Sequence, residues 1–483
     1  MVRLRRPAGS AASFAATRIS SLTASLALIV AGSLAAPPAT AVPTEHGAAG
    51  IGDSYFPLDG NGGYEVAGYK IRNRYRFTTK HLSGHTTLTV RATQDLSTFS
   101  LDFLLPVDRV RIDGRTVHHS RPRPHEVRVA PPTTIAAGER FRVRVDYAGF
   151  PARKWYAGES NWLADRHEVV AMNQPHMAPW WFPANDHPAD KARMDVAITV
   201  PRGNQVFANG RPVSRRLHGN LVTRRWVARE PMATYLAMFA AGKFRVRTGV
   251  SDGLPWRAVV SERLSSSQLR SNMRLMRRTP GVVAGLEKDL GDYPFAQVGG
   301  LVTSLDVGFA LENQTIPTYP AVGSGFTWLV VHEVAHQWFG DSVALRRWRD
   351  IWLNEGAATF MELRWQERHN GRSADSWLRD AYDTPSLGSF WDLPIGNPGA
   401  NRIFDHRIYE RGAMTFQALR NRVGEDDFWA ILQQWVADHR NGHGTRAAFQ
   451  KLAEDVSDEE LDGFFDAWLS AGKPANTTEN GLG

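Results

Sequence analysis

Two histidines that stand four residues apart in an apolar stretch constrain this chain more than any other feature. Residues 332–336 read HEVAH, and positions i and i+4 of a helix lie on the same face. Apolar residues recur every three or four positions around this motif, which predicts a helix over 326–339 that is buried on one side. His332 and His336 can then bind one metal ion, with Glu333 beside the ion as a base.

A third metal ligand follows at a suitable distance. Catalytic zinc usually has three protein ligands and a fourth position that is open to water. Glu355, in the segment Asn354-Glu355-Gly356, is separated from His336 by 18 residues and can supply the carboxylate. The sequence therefore predicts one Zn²⁺ per chain, bound by His332, His336 and Glu355. The alternative is a metal-free helix at the surface, which the apolar residues around the motif disfavour.

Three longer segments carry a family resemblance. Residues 332–342 read HEVAHQWFGDS, residues 352–360 read WLNEGAATF, and residues 308–313 read GFALEN. Together they resemble the gluzincin zinc metallopeptidases related to aminopeptidase N, the membrane alanyl aminopeptidase. The resemblance extends from Tyr55 to about Trp468. It implies a zinc metallo-aminopeptidase, a hydrolase that removes residues from the N-terminus of peptides.

The periodicity of apolar residues changes midway along the chain. From Tyr64 to Lys243 apolar and polar residues alternate, which is typical of half-buried antiparallel strands. Beyond Lys243 helical spacing dominates, and strands are predicted only at 298–304 and 310–318. A chain of 483 residues also exceeds the size of a single typical core. We therefore predict an α+β protein with more than one domain.

The resemblance gives these regions an architecture. It implies an N-terminal antiparallel β-sandwich or saddle domain over 42–245, followed by a thermolysin-like mixed α+β catalytic domain over 246–472. Residues 473–483 are polar and are predicted to form a flexible tail. Many relatives continue into a C-terminal helical repeat domain that covers the active site, and we expect this chain to lack that domain.

The resemblance also assigns the catalytic groups. Glu333 would be the general base that takes a proton from the attacking water. Tyr409 matches the tyrosine of a Y-x-K-G pattern in the family and would donate to the oxygen on which negative charge develops. Arg411 replaces the lysine of that pattern, which leaves the phenol unchanged.

Glu312 would define the substrate class. It stands where the family has an amine-binding glutamate, and a carboxylate there can bind the free α-ammonium of a peptide. Gly308 and Ala310 belong to the same motif and are assigned to substrate contact by the resemblance. Gln174, which lies shortly before a Phe-Pro pair, is the candidate for a second amine anchor. The predicted partners are therefore peptides with a free N-terminus.

The N-terminus reads as a secretory signal. Four arginines and no acid occur in residues 1–41, an apolar run extends over 22–36, and Ala39-Thr40-Ala41 offers a cleavage site. The run is too short and too interrupted for a stable membrane anchor, which is the alternative. The chain has no cysteine, so it has no disulfides, and export without disulfides favours a secreted bacterial enzyme. We expect cleavage near Ala41.

The charge of the chain indicates no nucleic-acid partner. The formal net charge is +8, but without residues 1–41 the chain has 53 basic and 49 acidic side chains, a net charge of +4. The basic residues are scattered, and even the cluster at 346–349 is typical of a solvated face. The oligomeric state is left open by the sequence.

Three functions remain compatible with these observations. The first is a secreted zinc aminopeptidase. The second is a related zinc endopeptidase or a hydrolase of small substrates, and the third is a non-catalytic peptide-binding module. Glu312 separates the first two, because an endopeptidase has no use for an amine anchor. Glu333 and Tyr409 argue against the third.

Overall fold

Strands occupy the first half of the described chain and helices the second. The computed structural model describes residues 46–483, apart from the side chains of residues 385–388; the predicted signal segment lies outside them. The strands are β1 Tyr64–Arg76, β2 His81–Ala92, β3 Phe99–Asp102, β4 Val107–Ile112, β5 Arg115–Arg123, β6 Glu126–Ala130, β7 Arg140–Gly149, β8 Trp162–Ala164, β9 Val169–Ala171, β10 Ala192–Pro201, β11 Gln205–Ala208, β12 Arg211–His218, β13 Leu221–Met232, β14 Phe239–Gly242, β15 Phe244–Ser251, β16 Leu254–Ser261, β17 Val298–Val302, β18 Thr318–Tyr319, β19 Ala344–Leu345 and β20 His443–Gly444. The α-helices are α1 Ser266–Met276, α2 Thr279–Leu290, α3 Thr327–Ala335, α4 Trp352–Arg368, α5 Ala374–Asp383, α6 His406–Val423, α7 Glu425–Asp438, α8 Arg446–Ser457 and α9 Asp462–Leu469.

A ten-stranded sheet forms the body of the first domain, with the order β12-β13-β10-β1-β2-β7-β4-β5-β6-β3. Burial alternates along its strands, as the period-two pattern predicts; in β1, Tyr69 and Ile71 are buried while Lys70 is exposed. The sheet is antiparallel except between β1 and β10, which run parallel with Ile71 opposite Val196. The predicted β domain is confirmed, with this one departure from an antiparallel order.

The chain passes from one sheet to another at Lys243. Strand β14, which ends at Gly242, belongs to a four-stranded sheet β11-β14-β9-β8. Strand β15, which begins at Phe244, belongs to a second four-stranded sheet β15-β16-β17-β18. Helices α1 and α2 pack against this second sheet, α3 packs against α2, and α4 packs against both α3 and α6. The result is the mixed α+β arrangement predicted for the second domain; the boundary at residue 245 itself stays a prediction.

Two local predictions are wrong. The segment 310–318 is a tight loop rather than a strand: Leu311 and Thr318 face each other in one β-bridge, and Thr315 at its turn has a φ of +69°. The tail 473–483 is packed rather than flexible. Leu482 is buried, and the Trp468 indole donates to the Asn480 carbonyl oxygen at 3.2 Å. One apolar anchor in a polar segment was too weak a signal to predict this contact.

The zinc-motif helix is shorter than predicted. Helix α3 ends at Ala335, and the chain turns through His336 to Phe339 instead of continuing the helix. Every residue from Leu329 to Ala335 is buried, so the helix lies inside the second domain. Within residues 46–483 no helix is both long and apolar enough to cross a bilayer.

Candidate metal and substrate site

The three predicted metal ligands converge on one point. His332 Nε2 lies 3.1 Å from His336 Nε2, and Glu355 Oε2 lies 3.5 Å from the first nitrogen and 3.4 Å from the second. Tetrahedral zinc with ligands at about 2.0–2.1 Å separates ligand atoms by about 3.3 Å. All three side chains are fully buried. The donor set and its spacing therefore fit one zinc ion.

Helix geometry explains this convergence, and two further contacts orient the histidines. Glu355 lies in the first turn of α4, which packs against α3. The Nδ1 atom of His332 contacts Glu362 Oε1 at 2.7 Å, and that of His336 contacts the Phe339 carbonyl oxygen at 3.0 Å. Each Nδ1 is thereby engaged, which leaves Nε2 for the metal.

Sequence reasoning missed Glu362. A signal was present, because Glu362 follows Glu355 by seven residues and therefore lies on the same face of α4.

The buried site also changes proton affinities. Burial lowers the pKa of His332, but the Glu355 and Glu362 carboxylates outweigh burial and raise it to about 10. Burial raises the pKa of Glu333 to about 7. A cation in the site must therefore displace a proton from His332, and its positive charge would oppose the rise at Glu333.

Glu333 and Tyr409 border the metal ligands. Glu333 is 1% exposed and its Oε1 atom has no hydrogen-bond partner. The Tyr409 ring lies 6.0 Å from the His332 ring, in the first turn of α6, a helix capped by the Asp405 carboxylate. The two predicted catalytic groups are thus brought to the predicted metal site.

Glu312 joins this group from the tight loop. Its carboxylate, that of Glu333 and the His336 imidazole each offer one atom within 4.8 Å of the others. Gln174 Nε2 donates to Glu312 Oε1 at 3.0 Å, while Glu312 Oε2 has no hydrogen-bond partner. Burial, followed by the charge of Glu312, raises the pKa of Tyr235 well above its usual range. The first domain therefore contributes Gln174 and Tyr235 to the surroundings of Glu312, which belongs to the second domain.

The loop that carries Glu312 is fixed to the zinc motif by Gln337. Its Nε2 atom donates to the Glu312 carbonyl oxygen at 3.0 Å, and its Oε1 atom accepts from the Thr315 amide at 2.8 Å. Sequence reasoning did not single out Gln337, although it directly follows His336. Gly308 is exposed and Ala310 is buried in the core. Their substrate contacts stay a prediction.

Arg411 has a structural position behind Tyr409. It is fully buried, and its guanidinium donates to the carbonyl oxygens of Leu393 at 3.0 Å, Ser470 at 2.6 Å and Gly472 at 3.0 Å. Burial lowers its pKa to about 10. The side chain ties the start of α6 to the end of α9, so the Lys-to-Arg difference from the family pattern affects the support of Tyr409 and leaves the phenol in place.

This fold and this donor set define a zinc metallopeptidase. The model of the peptidase M1 N-terminal domain matches residues 66–236, and that of the peptidase family M1 domain matches residues 321–468. The chain belongs to peptidase family M1.

Relatives and solved structures agree with this assignment. Aminopeptidase N of Haemonchus contortus is 25% identical over 64% of this chain, and Tricorn protease-interacting factor F2 of Thermoplasma volcanium is 23% identical over 61%. The chain spans only 34% and 40% of these two proteins. The solved structure of an M1 zinc metallopeptidase from Deinococcus radiodurans superposes on this chain with a TM-score of 0.81 and 28% sequence identity. The match covers 90% of this chain and 99% of that one. A mutant of that enzyme has been solved with a Tyr-Ser-Ala substrate and has a TM-score of 0.77.

Proposed function

We propose that this protein is a zinc-dependent aminopeptidase that removes N-terminal residues from peptides. The observation that carries the proposal is the position of Glu312. One atom of its carboxylate lies within 4.8 Å of the base Glu333 and the metal ligand His336, and its Oε2 atom has no hydrogen-bond partner of normal geometry, with the Tyr235 hydroxyl close by. A buried carboxylate beside the reacting centre is suited to bind a free α-ammonium through a charge-assisted hydrogen bond.

Gln174 makes this anchor directional. Its amide holds Glu312 Oε1 at 3.0 Å, which leaves Oε2 for the substrate. With the ammonium fixed there, the first peptide bond of the substrate comes next to Glu333. This geometry supports removal of one residue at a time over cleavage of internal bonds.

The remaining residues supply proton transfer and charge stabilisation. When bound, zinc polarises a carbonyl and lowers the pKa of water. Glu333 accepts the proton of the attacking water and returns it to the leaving amine. The Tyr409 hydroxyl donates to the carbonyl oxygen as negative charge develops there. The His332 and His336 imidazoles stay fixed by their Nδ1 contacts during these steps.

We further propose that the protein is exported. Residues 1–41 combine a positively charged start, an apolar run and a small-residue cleavage site, which together are typical of a secretory signal. The absence of cysteine is compatible with folding in an oxidising compartment, since no disulfide is needed.

A paired substrate panel tests the peptidase proposal. Aminoacyl amides with a free amine and the same compounds after N-acetylation should be compared with purified protein. Acetylation removes the charge that Glu312 binds and leaves the buried carboxylate without a partner, which should cost several kcal/mol of transition-state binding. Equal cleavage of both series, with internal bonds cut in a long peptide, would instead establish an endopeptidase.

A further inference from the structure

A second group of buried ligand-type side chains lies in the β domain. Asp102, at the end of β3, and Glu126, at the start of β6, are directly opposite each other in the sheet, and His125 precedes Glu126. One atom from each of these three side chains lies within 4.8 Å of the other two. The side chains are buried, with exposed fractions of 2% for Asp102, 0% for Glu126 and 4% for His125. This group, the β-domain cluster, has no part in the site described above.

The polar atoms of the β-domain cluster lack the partners that burial demands. Asp102 Oδ1, both oxygens of Glu126 and His125 Nε2 have no hydrogen-bond partner of normal geometry, although the Ser100 hydroxyl lies near the Glu126 carboxylate. His125 Nε2 and Glu126 Oε1 are 3.5 Å apart, beyond a normal hydrogen bond of this type. Leaving a buried polar group unpaired is unfavourable, and more so for a charged group. Four such atoms together indicate a missing ligand.

Two residues outside the cluster, Asn61 and Asp186, donate to Asp102 and each also has an oxygen atom without a partner. Asn61 donates through Nδ2 to Asp102 Oδ2 at 3.2 Å, yet its amide oxygen has no partner and the residue is fully buried. The Asp186 amide donates to the same Asp102 oxygen at 2.7 Å, and the Asp186 carboxylate keeps one oxygen, Oδ2, without a partner. A neutral amide oxygen and a carboxylate oxygen are both of the type that hard cations bind.

The charges do not balance among the protein groups. Asp59 is paired with His176, whose pKa burial would lower but which Asp59 raises to about 10. Within residues 46–483 no lysine or arginine forms a salt bridge with Asp102, Glu126 or Asp186, although the charges of Arg123 and Arg128 act to lower the pKa of Glu126. Burial raises the pKa of Glu126 and of Asp186 to about 7, against the opposing effects of the Ser100 and Thr234 hydroxyls respectively. Burial also lowers the pKa of His125, which leaves its imidazole neutral and able to bind a metal.

We propose that the β-domain cluster binds a hard divalent cation, with Asp102, Glu126 and His125 as its ligands. Carboxylate and amide oxygens are preferred by Ca²⁺ and Mn²⁺, and one imidazole is compatible with Mn²⁺. The set differs from the two histidines and one carboxylate that fit zinc in the catalytic site. A dication would neutralise the charge of the carboxylates and satisfy the free oxygens at once.

The cation would stabilise the segment of the β domain that carries Gln174. Asp59 receives hydrogen bonds from Tyr156 at 2.6 Å and from His176 at 2.5 Å. His176 is two residues from Gln174, and its ring is 5.3 Å from that of Tyr156, which in turn is 4.3 Å from the His125 ring. The β-domain cluster is therefore joined by direct contacts to the segment that carries Gln174.

Metal binding to the whole, zinc-loaded protein tests the proposal. Equilibrium dialysis against Ca²⁺ or against Mn²⁺, followed by elemental analysis, should give about one such ion per chain in addition to zinc, and the two arms identify the ion. At a free cation concentration 100-fold above Kd, the Tm should rise by on the order of 5 °C. Tb³⁺ should bind in place of Ca²⁺ and show luminescence excited through Tyr156. If the wild type retains only zinc and its Tm does not respond to either cation, the proposal is wrong.

Variants separate this site from surface binding. Asp102→Asn combined with Glu126→Gln preserves the shape of both side chains and should abolish the second ion and the Tm response while zinc stays at one per chain. The control is Glu460→Gln in the exposed acidic group Glu454, Glu460 and Asp462, which should keep both responses. Retention of the second ion by the double variant would overturn the assignment, and the wild-type measurements decide the question if that variant does not fold.

Discussion

Gly356 and Gly412 contact each other where α4 and α6 cross. A Cβ atom added to either glycine would lie 2.7 Å from the Cα atom of the other. Glu355 directly precedes the first glycine, and Tyr409 lies three residues before the second. Because neither glycine has a side chain, α4 and α6 can approach closely. This close approach brings the metal ligand Glu355 and the proton donor Tyr409 to the same site.

Replacing either glycine should therefore damage stability and turnover together. Gly412→Ala forces the two helices apart, and overpacking of this kind costs about 1–3 kcal/mol. Thermal unfolding and kcat measure the two effects. Gly281→Ala in α2 is the matched control, because a Cβ atom there meets nothing within 4 Å and alanine favours the helix by about 0.5–1 kcal/mol. If Gly412→Ala and Gly281→Ala had the same Tm and the same kcat, close packing of α4 against α6 would be contradicted.

Zinc should be required and should be lost at acidic pH. Elemental analysis is expected to give about one zinc per chain, and a chelator should abolish activity. The ion replaces a proton on His332, whose pKa is raised to about 10, so zinc affinity should fall as pH falls. Zinc retention across a pH series measures this effect. Full activity after exhaustive chelation would rule out the metal assignment.

Changes at Glu333 and Tyr409 should affect turnover far more than folding. Glu333→Gln removes the base and should lower kcat by about 10²–10⁴-fold. Tyr409→Phe removes one donor and should lower it by about 10²–10³-fold. Zinc content and Tm should stay near those of the wild type. A variant with near wild-type kcat would show that the role given to that residue is wrong.

Gln174 and Glu312 should act on substrate choice as a pair. Glu312→Ala should lower kcat/KM on aminoacyl amides and narrow the gap between free and N-acetylated substrates, with zinc retained. Gln174→Ala should produce a weaker change of the same kind, because it frees Glu312 Oε1 without removing the charge. The double variant should lose less than the two single losses combined. Additive losses would indicate that the two residues act independently.

Export can be checked by sequencing the mature N-terminus. Protein recovered outside the cytoplasm of a secreting host should begin near Val42, since Ala39-Thr40-Ala41 has the small residues of a cleavage site. Recovery of intact Met1 in the external fraction would refute cleavage.

Local patterns located residues that the structure brings together in the candidate site. His332 and His336 share a helix face by spacing alone, and the helix amphipathicity is visible in the sequence. Glu355, Tyr409 and Glu312 were located through motifs of a few residues, which carry their own local structure. The structure brings all five to one site.

Contacts between distant segments were not predictable in the same way. The parallel pairing of β1 with β10 joins residues more than a hundred positions apart, and alternation along each strand does not reveal its neighbour. Asp102 and Glu126 belong to no sequence motif, and only the pairing of β3 with β6 brings them together. The strand predicted over 310–318 failed because the chain reverses at Thr315, which brings Leu311 opposite Thr318.

The hydrogen bond between Gln174 and Glu312 joins two domains, and in the proposed enzyme this contact sets how far a peptide substrate enters the site. The carboxylate that would stop the substrate comes from the catalytic domain, but the amide that aims it comes from the β domain. The relative position of the two domains then determines which peptide bond lies next to Glu333, because neither domain alone contains both Gln174 and Glu312. A shift of about 1 Å at this junction would leave the zinc ligands intact and still change which bond is cut.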